Sequence, residues 1–153
     1  MGLNKNFPKS PFNIINPDVR WFPGDESLGD KGREKLLAPL VTKIRQEVFE
    51  WRKKNYSNIS DTSKSLLEYW FKTPHENEFN YYFAQRESVE SIIYLYEHEN
   101  IRNPSELLKY DSSGVLVDSM FEETWLRLVV KQATGTGKTK VLSLLMAWCY
   151  FHK

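Results

Sequence analysis

Apolar residues recur along the first half of this sequence at the spacing of one helix face. From Arg33 to about Lys54 these residues are Leu37, Leu40, Val41, Ile44, Val48 and Trp51. Their 3.6-residue period predicts an amphipathic helix, in which Pro39 lies in the first turn or at a kink. Turn and cap residues over Ser57–Thr62 then predict a second short helix that ends at Thr73-Pro74.

The same pattern predicts two further helical segments. The inward residues of the second helix are Leu66, Leu67, Trp70 and Phe71. A third helix is expected from about Phe83 to Glu99, with one face formed by Val89, Ile92, Ile93 and Tyr96. A short helical turn follows at Leu107 and Leu108. The stretch Asp111–Asp118 fits a small hairpin or a loop, and the pattern does not choose between them.

The two ends of the chain differ from this helical middle. Residues 1–30 contain four prolines, which forbid a long helix, and enough aromatic residues to predict an extended arm laid over a folded body. Near the other end, Leu126–Lys131 is a β-branched and apolar run typical of a buried strand. A glycine-bearing loop follows, and then a helix from Thr139 to about Phe151 that is apolar on almost every side and therefore expected to be buried.

The glycine-bearing loop contains the residue pattern that indicates a chemical function. Its residues are Ala133, Thr134, Gly135, Thr136, Gly137, Lys138 and Thr139. Glycines let successive backbone N–H groups approach phosphate oxygens, and the start of the following helix adds unpaired donors and a positive dipole end. In such a loop Lys138 reaches the β- and γ-phosphates and the Thr139 hydroxyl coordinates Mg²⁺. Gln132 stands where the full pattern has its first glycine.

This loop resembles motif I of superfamily 2 helicases, in particular that of restriction subunits of type I and type III systems. The segments Tyr81–Glu90, Asn16–Pro23 and Trp148–Lys153 look like the start of type III restriction-like, DEAD/DEAH-type ATPase subunits. The resemblance implies a mostly α N-terminal region that leads into the first strand–P-loop–helix of an α/β, RecA-like motor domain.

The resemblance also implies a set of ligands and partners. The cofactors are ATP and Mg²⁺, with Gln85 pairing to the adenine edge, Tyr82 or Phe83 stacking on it and Arg86 assisting. The implied partners are DNA, which the intact protein would move along or open, with cleavage as a coupled activity, and a modification (methyltransferase) subunit. From the residues alone, Gln85 and Arg86 are also consistent with the polar side of the third helix's first turn.

These expectations divide the chain into an arm over residues 1–30, a helical region over 31–120 with the adenine-reading segment near 79–90, and the start of the motor domain over 121–153. No acidic Asp-Glu motif follows the loop, so the chain is expected to be a fragment without ATPase turnover of its own. The alternatives are a non-catalytic helical interaction domain that ends at a P-loop, or another P-loop NTPase such as a small kinase.

Composition adds limits to these alternatives. The formal net charge of +1 argues neither for nor against a nucleic-acid partner. Cys149 is the single cysteine, and no apolar run reaches the roughly 20 residues of a membrane span, so a cytoplasmic protein without membrane contact is expected. His75, His98 and His152 are expected to be surface residues outside any metal site. The apolar C-terminal helix is expected to fray or to self-associate.

Overall fold

The structure is a computed structural model that describes residues 10–17, 40–111, 113–121 and 123–152. Four α-helices are formed there: α1 (Val41–Lys53), α2 (Asp61–Phe71), α3 (Phe83–Ile93) and α4 (Lys138–Phe151). Shorter helical turns lie at Glu76–Glu78, Tyr94–His98, Pro104–Tyr110 and Asp118–Met120. The mostly α character predicted for this part of the chain is confirmed. The predicted helix start near Arg33, together with Leu37 and Pro39, lies outside the described residues, as does most of the arm.

Local sequence explains where α2 and α3 begin. Ser60 precedes α2 in an extended conformation, and its hydroxyl accepts a hydrogen bond from the Ser63 backbone N–H at 3.2 Å. This is the side-chain cap expected from the Ser57–Thr62 segment. At the start of α3, the Gln85 side-chain oxygen accepts from the Tyr82 backbone N–H at 3.1 Å. Both interactions satisfy donors that a helix terminus leaves unpaired.

Helix α3 is the centre of the fold, because it packs against α1, α2 and α4. The core contains aromatic and aliphatic side chains from every helix and from the turn Pro104–Tyr110. Its buried members are Val48, Trp51, Tyr56, Leu67, Trp70, Val89, Ile93, Tyr94, Leu95, Ile101, Leu107, Tyr110, Val141, Leu144 and Trp148. The predicted helical turn at Leu107 and Leu108 is thus confirmed, with Leu107 in the core.

A π-helical turn over Tyr94–His98 changes which face of the third helix is buried. The prediction placed Tyr96 on the same inward face as Val89 and Ile93, but Tyr96 is 38% exposed, while Tyr94 and Leu95 are buried. The Glu99 backbone N–H donates to the Tyr94 carbonyl, five residues earlier, at 2.9 Å. This wide turn contains an extra residue, so the 3.6-residue period no longer applies after Ile93.

The predicted strand over Leu126–Lys131 is not formed. Leu126 and Leu128 pack against the core, whereas Val129 is 82% exposed. A strand requires a neighbour for its backbone groups, and no part of the chain that the structure describes supplies one to these residues. Between Asp111 and Asp118 the described residues form a loop rather than a hairpin, since the Asp111 carboxylate accepts from the Ser113 and Leu116 backbone N–H groups at 2.8 and 3.0 Å.

Helix α4 is formed over 14 residues but only one of its sides is buried. Val141, Leu144 and Trp148 face α2 and α3. The prediction that the helix is buried almost all round is wrong for Leu142, Met146, Tyr150 and Phe151, which are 57–76% exposed. The reason is geometric: among the described residues, only α2 and α3 pack extensively against this helix, and they lie on one side of it.

Candidate functional site

The glycine loop, residues 132–137, turns the chain directly into the N-terminus of α4. Gly135 and Gly137 both have a left-handed backbone, with φ of 82° and 77°. Side chains with a Cβ rarely adopt this conformation. In the part of the chain that the structure describes, the backbone N–H groups of Lys138 and Thr139 have no protein acceptor, as expected for the first turn of a helix. The loop and the helix start together therefore present free donors and a positive dipole end.

The Lys138 side chain folds back over the loop. Its ammonium group donates to the carbonyls of Gln132 and Ala133 at 3.3 and 3.0 Å. The Thr136 hydroxyl also donates to the Ala133 carbonyl, at 2.7 Å. Thr139 lies exposed on the first turn of α4. The loop is thus a closed turn, with a cation held at its entrance by backbone oxygens.

The side chain of Gln85 joins the start of α3 to the glycine loop. It is 6% exposed. Its oxygen accepts from the Tyr82 N–H, and its nitrogen donates to the Thr136 carbonyl at 3.0 Å. The same nitrogen lies 2.3 Å from the place that a Cβ on Gly137 would occupy. The structure therefore brings Gln85 and the predicted phosphate-binding residues together, and its adenine role stays a prediction.

Gln132 forms a second connection to α3, which the sequence interpretation missed. Its side-chain nitrogen donates to the Ala84 carbonyl at 3.0 Å and to the Ser88 hydroxyl at 2.6 Å. The sequence identified Gln132 only as a departure from the usual first glycine. Contacts between residues 44 and 48 positions apart leave no local signal in a sequence, so only the fold reveals them.

Arg86 belongs to a buried ionic cluster on the other side of α3. It donates to the Glu90 carboxylate at 2.8 Å and to the Tyr56 hydroxyl at 2.8 Å. Glu90 is fully buried and also accepts from Arg52 of α1 at 2.9 Å and from Tyr56. Burial and the Glu90 charge raise the pKa of Tyr56 above its usual range, so Tyr56 remains a neutral donor. The predicted contact of Arg86 with a nucleotide stays a prediction.

A cavity of about 440 Å³ adjoins the glycine loop. Its lining residues are Ser10, Pro11, Asn13, Ile15, Tyr82, Phe83, Ala84, Thr134, Gly135 and Thr136. The described part of the N-terminal arm forms one wall: the Phe83 N–H donates to the Pro11 carbonyl at 2.8 Å, and the rings of Phe12 and Tyr82 lie 5.1 Å apart. This volume is within the usual range of small-molecule sites.

The histidines lie away from any metal-binding arrangement in the described residues, where no group of three or more His, Cys, Asp and Glu side chains could hold a metal ion. They are half-buried rather than on the open surface. His152 stacks on Trp148 with ring centroids 5.1 Å apart, and His98 stacks on Tyr94 at 4.9 Å. These ring contacts indicate packing roles.

Among the residues placed in the structure, no helix is both long enough and apolar enough to cross a membrane. Comparison of the chain with known protein families, with curated proteins and with solved structures finds no match. A functional assignment therefore depends on the chemistry of the glycine loop, the cavity beside it and the side chains that connect them.

Proposed function

We propose that the glycine loop binds the phosphates of ATP together with Mg²⁺, and that the chain is the ATP-binding N-terminal part of a DNA helicase or translocase of the restriction-endonuclease type. The observation that carries this proposal is the loop itself. Gly135 and Gly137, both with a left-handed backbone conformation, lead directly into the start of a 14-residue helix, and a ligand-sized cavity adjoins the loop. Such a helix start favours anions.

The residues of the loop have the chemistry that a nucleotide phosphate requires. The N–H groups of Lys138 and Thr139 supply donors to phosphate oxygens. The Lys138 ammonium group is held only by two carbonyls, at 3.0 and 3.3 Å, and a phosphate oxygen is a stronger acceptor because it is charged. The Thr139 hydroxyl is exposed on the same helix turn and would hold Mg²⁺.

The cavity offers a place for the base. Tyr82 and Phe83 contribute aromatic rings to its lining, and aromatic side chains bind bases by stacking. Gln85 uses one of its two N–H groups on Thr136 and one of its two oxygen lone pairs on Tyr82. A primary amide has two donors and two acceptor positions, so Gln85 keeps one of each. Because Gln85 is buried and is not among the residues that line the cavity, pairing with an adenine edge would require its side chain to turn toward the cavity.

The wider assignment depends on the resemblance of residues 81–90 and 132–139 to superfamily 2 restriction subunits. A RecA-like motor domain, a DNA partner and a modification methyltransferase subunit are proposed on that ground. The packed helices α1–α3, with the glycine loop bonded to the first turn of α3, are compatible with such a role.

Titration calorimetry with ATP and Mg²⁺ tests the proposal. Lys138→Ala should weaken binding at least about tenfold, because a charge-assisted contact contributes roughly 1.5–3 kcal/mol. Lys140→Ala is the matched control, since Lys140 is an exposed lysine two positions further along the same helix. No binding by the wild-type chain, or equal weakening by both substitutions, would contradict the proposal.

The adenine assignment has its own test. The wild-type chain should bind ATP more tightly than GTP, and Gln85→Ala should remove this preference, since a lost base-edge pair typically costs about 1–3 kcal/mol of discrimination. The ratio of the two affinities is the relevant quantity, because Gln85→Ala also removes the hydrogen bond to Thr136 and is expected to weaken the binding of both nucleotides. An unchanged ratio would leave Gln85 with its loop contact alone.

A second candidate function is a helical interaction domain, and the exposed side of α4 favours it. Leu142, Met146 and Tyr150 lie four residues apart along one side of this helix and are 59%, 63% and 76% exposed. Apolar patches of this kind mark interaction surfaces, and self-association through α4 is one such use. Sedimentation velocity of the wild-type chain and of Met146→Glu distinguishes the candidates. Association that Met146→Glu abolishes, together with no nucleotide binding, would favour the interaction domain.

A further inference from the structure

Gln132 occupies the position at which phosphate-binding loops usually have their first glycine, and its side chain forms hydrogen bonds to α3. The amide nitrogen spans one turn of α3, donating to the Ala84 carbonyl at 3.0 Å and to the Ser88 hydroxyl at 2.6 Å. Ser88 itself donates to the same Ala84 carbonyl at 2.6 Å. Three polar groups from the loop and the helix therefore meet at one point.

Together with Gln85, this point fixes the glycine loop at both of its ends. Gln132 holds the entrance of the loop to Ala84 and Ser88, while Gln85 holds the Thr136 carbonyl near its exit. Two separate tethers prevent the loop from pivoting about either one. The loop and the first turn of α3 are thereby held as one unit.

The tethered elements form two walls of the cavity, and the described part of the N-terminal arm forms a third. Ala84, which accepts from Gln132, lines the cavity with Tyr82 and Phe83, and Thr134–Thr136 of the loop line it as well. A ligand that fills the cavity must touch both walls at once. The distance between the walls is set by the tethers before any ligand arrives.

We propose that Gln132 is a positioning residue that makes this site selective for a ligand with both a base and a polyphosphate, that is, a nucleoside triphosphate, over inorganic polyphosphate. This inference rests on the proposed nucleotide-binding function. A fixed distance between the loop and the start of α3 increases the affinity only for a ligand that contacts both of them. The reason is that such a ligand no longer has to order the two elements when it binds, so less of its binding free energy is lost. Inorganic triphosphate engages the loop alone and gains nothing from the spacing.

The test compares two ligands, ATP and inorganic tripolyphosphate, each with Mg²⁺, by calorimetry on the full chain. Gln132→Met keeps the side-chain length but removes the amide, and should reduce the affinity ratio of ATP to tripolyphosphate about tenfold. Lys131→Met is the matched control, since it introduces the same side chain at an adjacent exposed position, and should leave the ratio unchanged. Ser88→Ala removes one of the two acceptors and should reduce the ratio about threefold.

If Gln132→Met only disrupted the loop in general, it would weaken the binding of ATP and of tripolyphosphate equally. The affinity ratio would then keep its wild-type value, and this result would overturn the inference. An equal fall in Lys131→Met would overturn it as well. Ser88→Ala decides the question if circular dichroism shows that Gln132→Met is unfolded. Failure of the wild-type chain to bind either ligand would reject the proposed function and this inference together, whereas binding of both ligands with an unchanged ratio in the variants rejects only the inference.

Discussion

Helices α1–α3 and the stretch from Trp125 to His152 are held in place by different kinds of contact. The first region supplies more of the shared core than the second does, and it contains a fully buried ionic cluster around Glu90. The second has one buried side of α4, with Trp148 donating to the Ser63 hydroxyl at 2.8 Å, and the two glutamine tethers of the glycine loop. The helical body is stabilised by many cooperating contacts, while the candidate site depends on a few individual ones.

The largest expected effect is from removing the charge at the centre of the helical body. Glu90→Ala leaves Arg52 and Arg86 without their buried partner and should lower the free energy of unfolding by about 3–5 kcal/mol. Urea denaturation followed by circular dichroism measures this change. Glu50→Ala is the control, because Glu50 pairs with Lys53 on the surface and an exposed pair contributes about 0–1 kcal/mol. Similar losses in both variants would show that the cluster does not distinguish the two regions.

A smaller and local effect is expected from Trp148→Ala. Trp148 is 5% exposed and anchors α4 to α2 through Ser63, so its truncation should cost about 3 kcal/mol. Amide hydrogen exchange should accelerate in α4 and remain slow in α1. Trp148→Phe keeps one aromatic ring but loses the N–H donor and part of the buried indole volume, so its effect should be smaller than that of Trp148→Ala, about 1–2 kcal/mol. Equal acceleration in α1 would show that the two regions unfold as one unit.

Paired glycine substitutions isolate the contact between Gln85 and the loop. Gly135→Ala and Gly137→Ala both force a left-handed conformation on alanine, at about 1–2 kcal/mol each. A Cβ at Gly135 meets open space, but one at Gly137 meets the Gln85 nitrogen. Gly137→Ala should therefore destabilise the loop by about 1 kcal/mol more than Gly135→Ala, as measured by thermal unfolding and by exchange of the loop amides. Equal costs at the two positions would contradict this close approach.

The smallest effect concerns Glu97, which lies where the two regions meet. Its carboxylate accepts from the Ser60 N–H at 2.5 Å and faces His152 at 3.8 Å. Burial opposes ionisation, but hydrogen bonds from Ser63 and Ser60 and the charge of His152 outweigh it, so the pKa of Glu97 is lowered. A lowered folded-state pKa contributes stability above the ordinary carboxyl pKa of about 4.3, and this is lost as the pH falls through the folded value.

Glu97→Gln should accordingly flatten the acid side of the stability profile. Between about pH 6 and pH 3 the wild-type chain should lose roughly 0.5 kcal/mol more than the variant. Denaturation at several pH values measures the two slopes. Glu99 also has a lowered pKa, but it is present in both proteins and cancels in the comparison. Parallel profiles would mean that the ionised Glu97 contributes nothing to this contact.

The sequence predicted the helical body well because helices depend on local information. The caps and period of residues 57–93 predicted α2 and the start of α3. The prediction failed at Tyr96, where one extra residue in a π turn shifts the buried face, and at Leu126–Lys131, where a strand depends on a neighbour rather than on its own residues. The side of α4 that remains exposed depends on its partners in the same way.

For the candidate site, the sequence predicted the loop but not its connections. Gly135, Gly137 and Lys138 form a recognisable local pattern, and the chain turns into a helix where that pattern requires it. The contacts of Gln85 with Thr136 and of Gln132 with Ala84 join distant positions. Only the packing of α3 against α4 brings these positions together.

The close approach of Gln85 to Gly137 also has a consequence for how related sequences can diverge. The two positions share one small volume, since the Gln85 nitrogen fills the space that a Cβ at position 137 would need. A lineage that acquires asparagine at 137, which tolerates a left-handed backbone better than most residues, would need a shorter side chain at 85. The two positions should therefore change together.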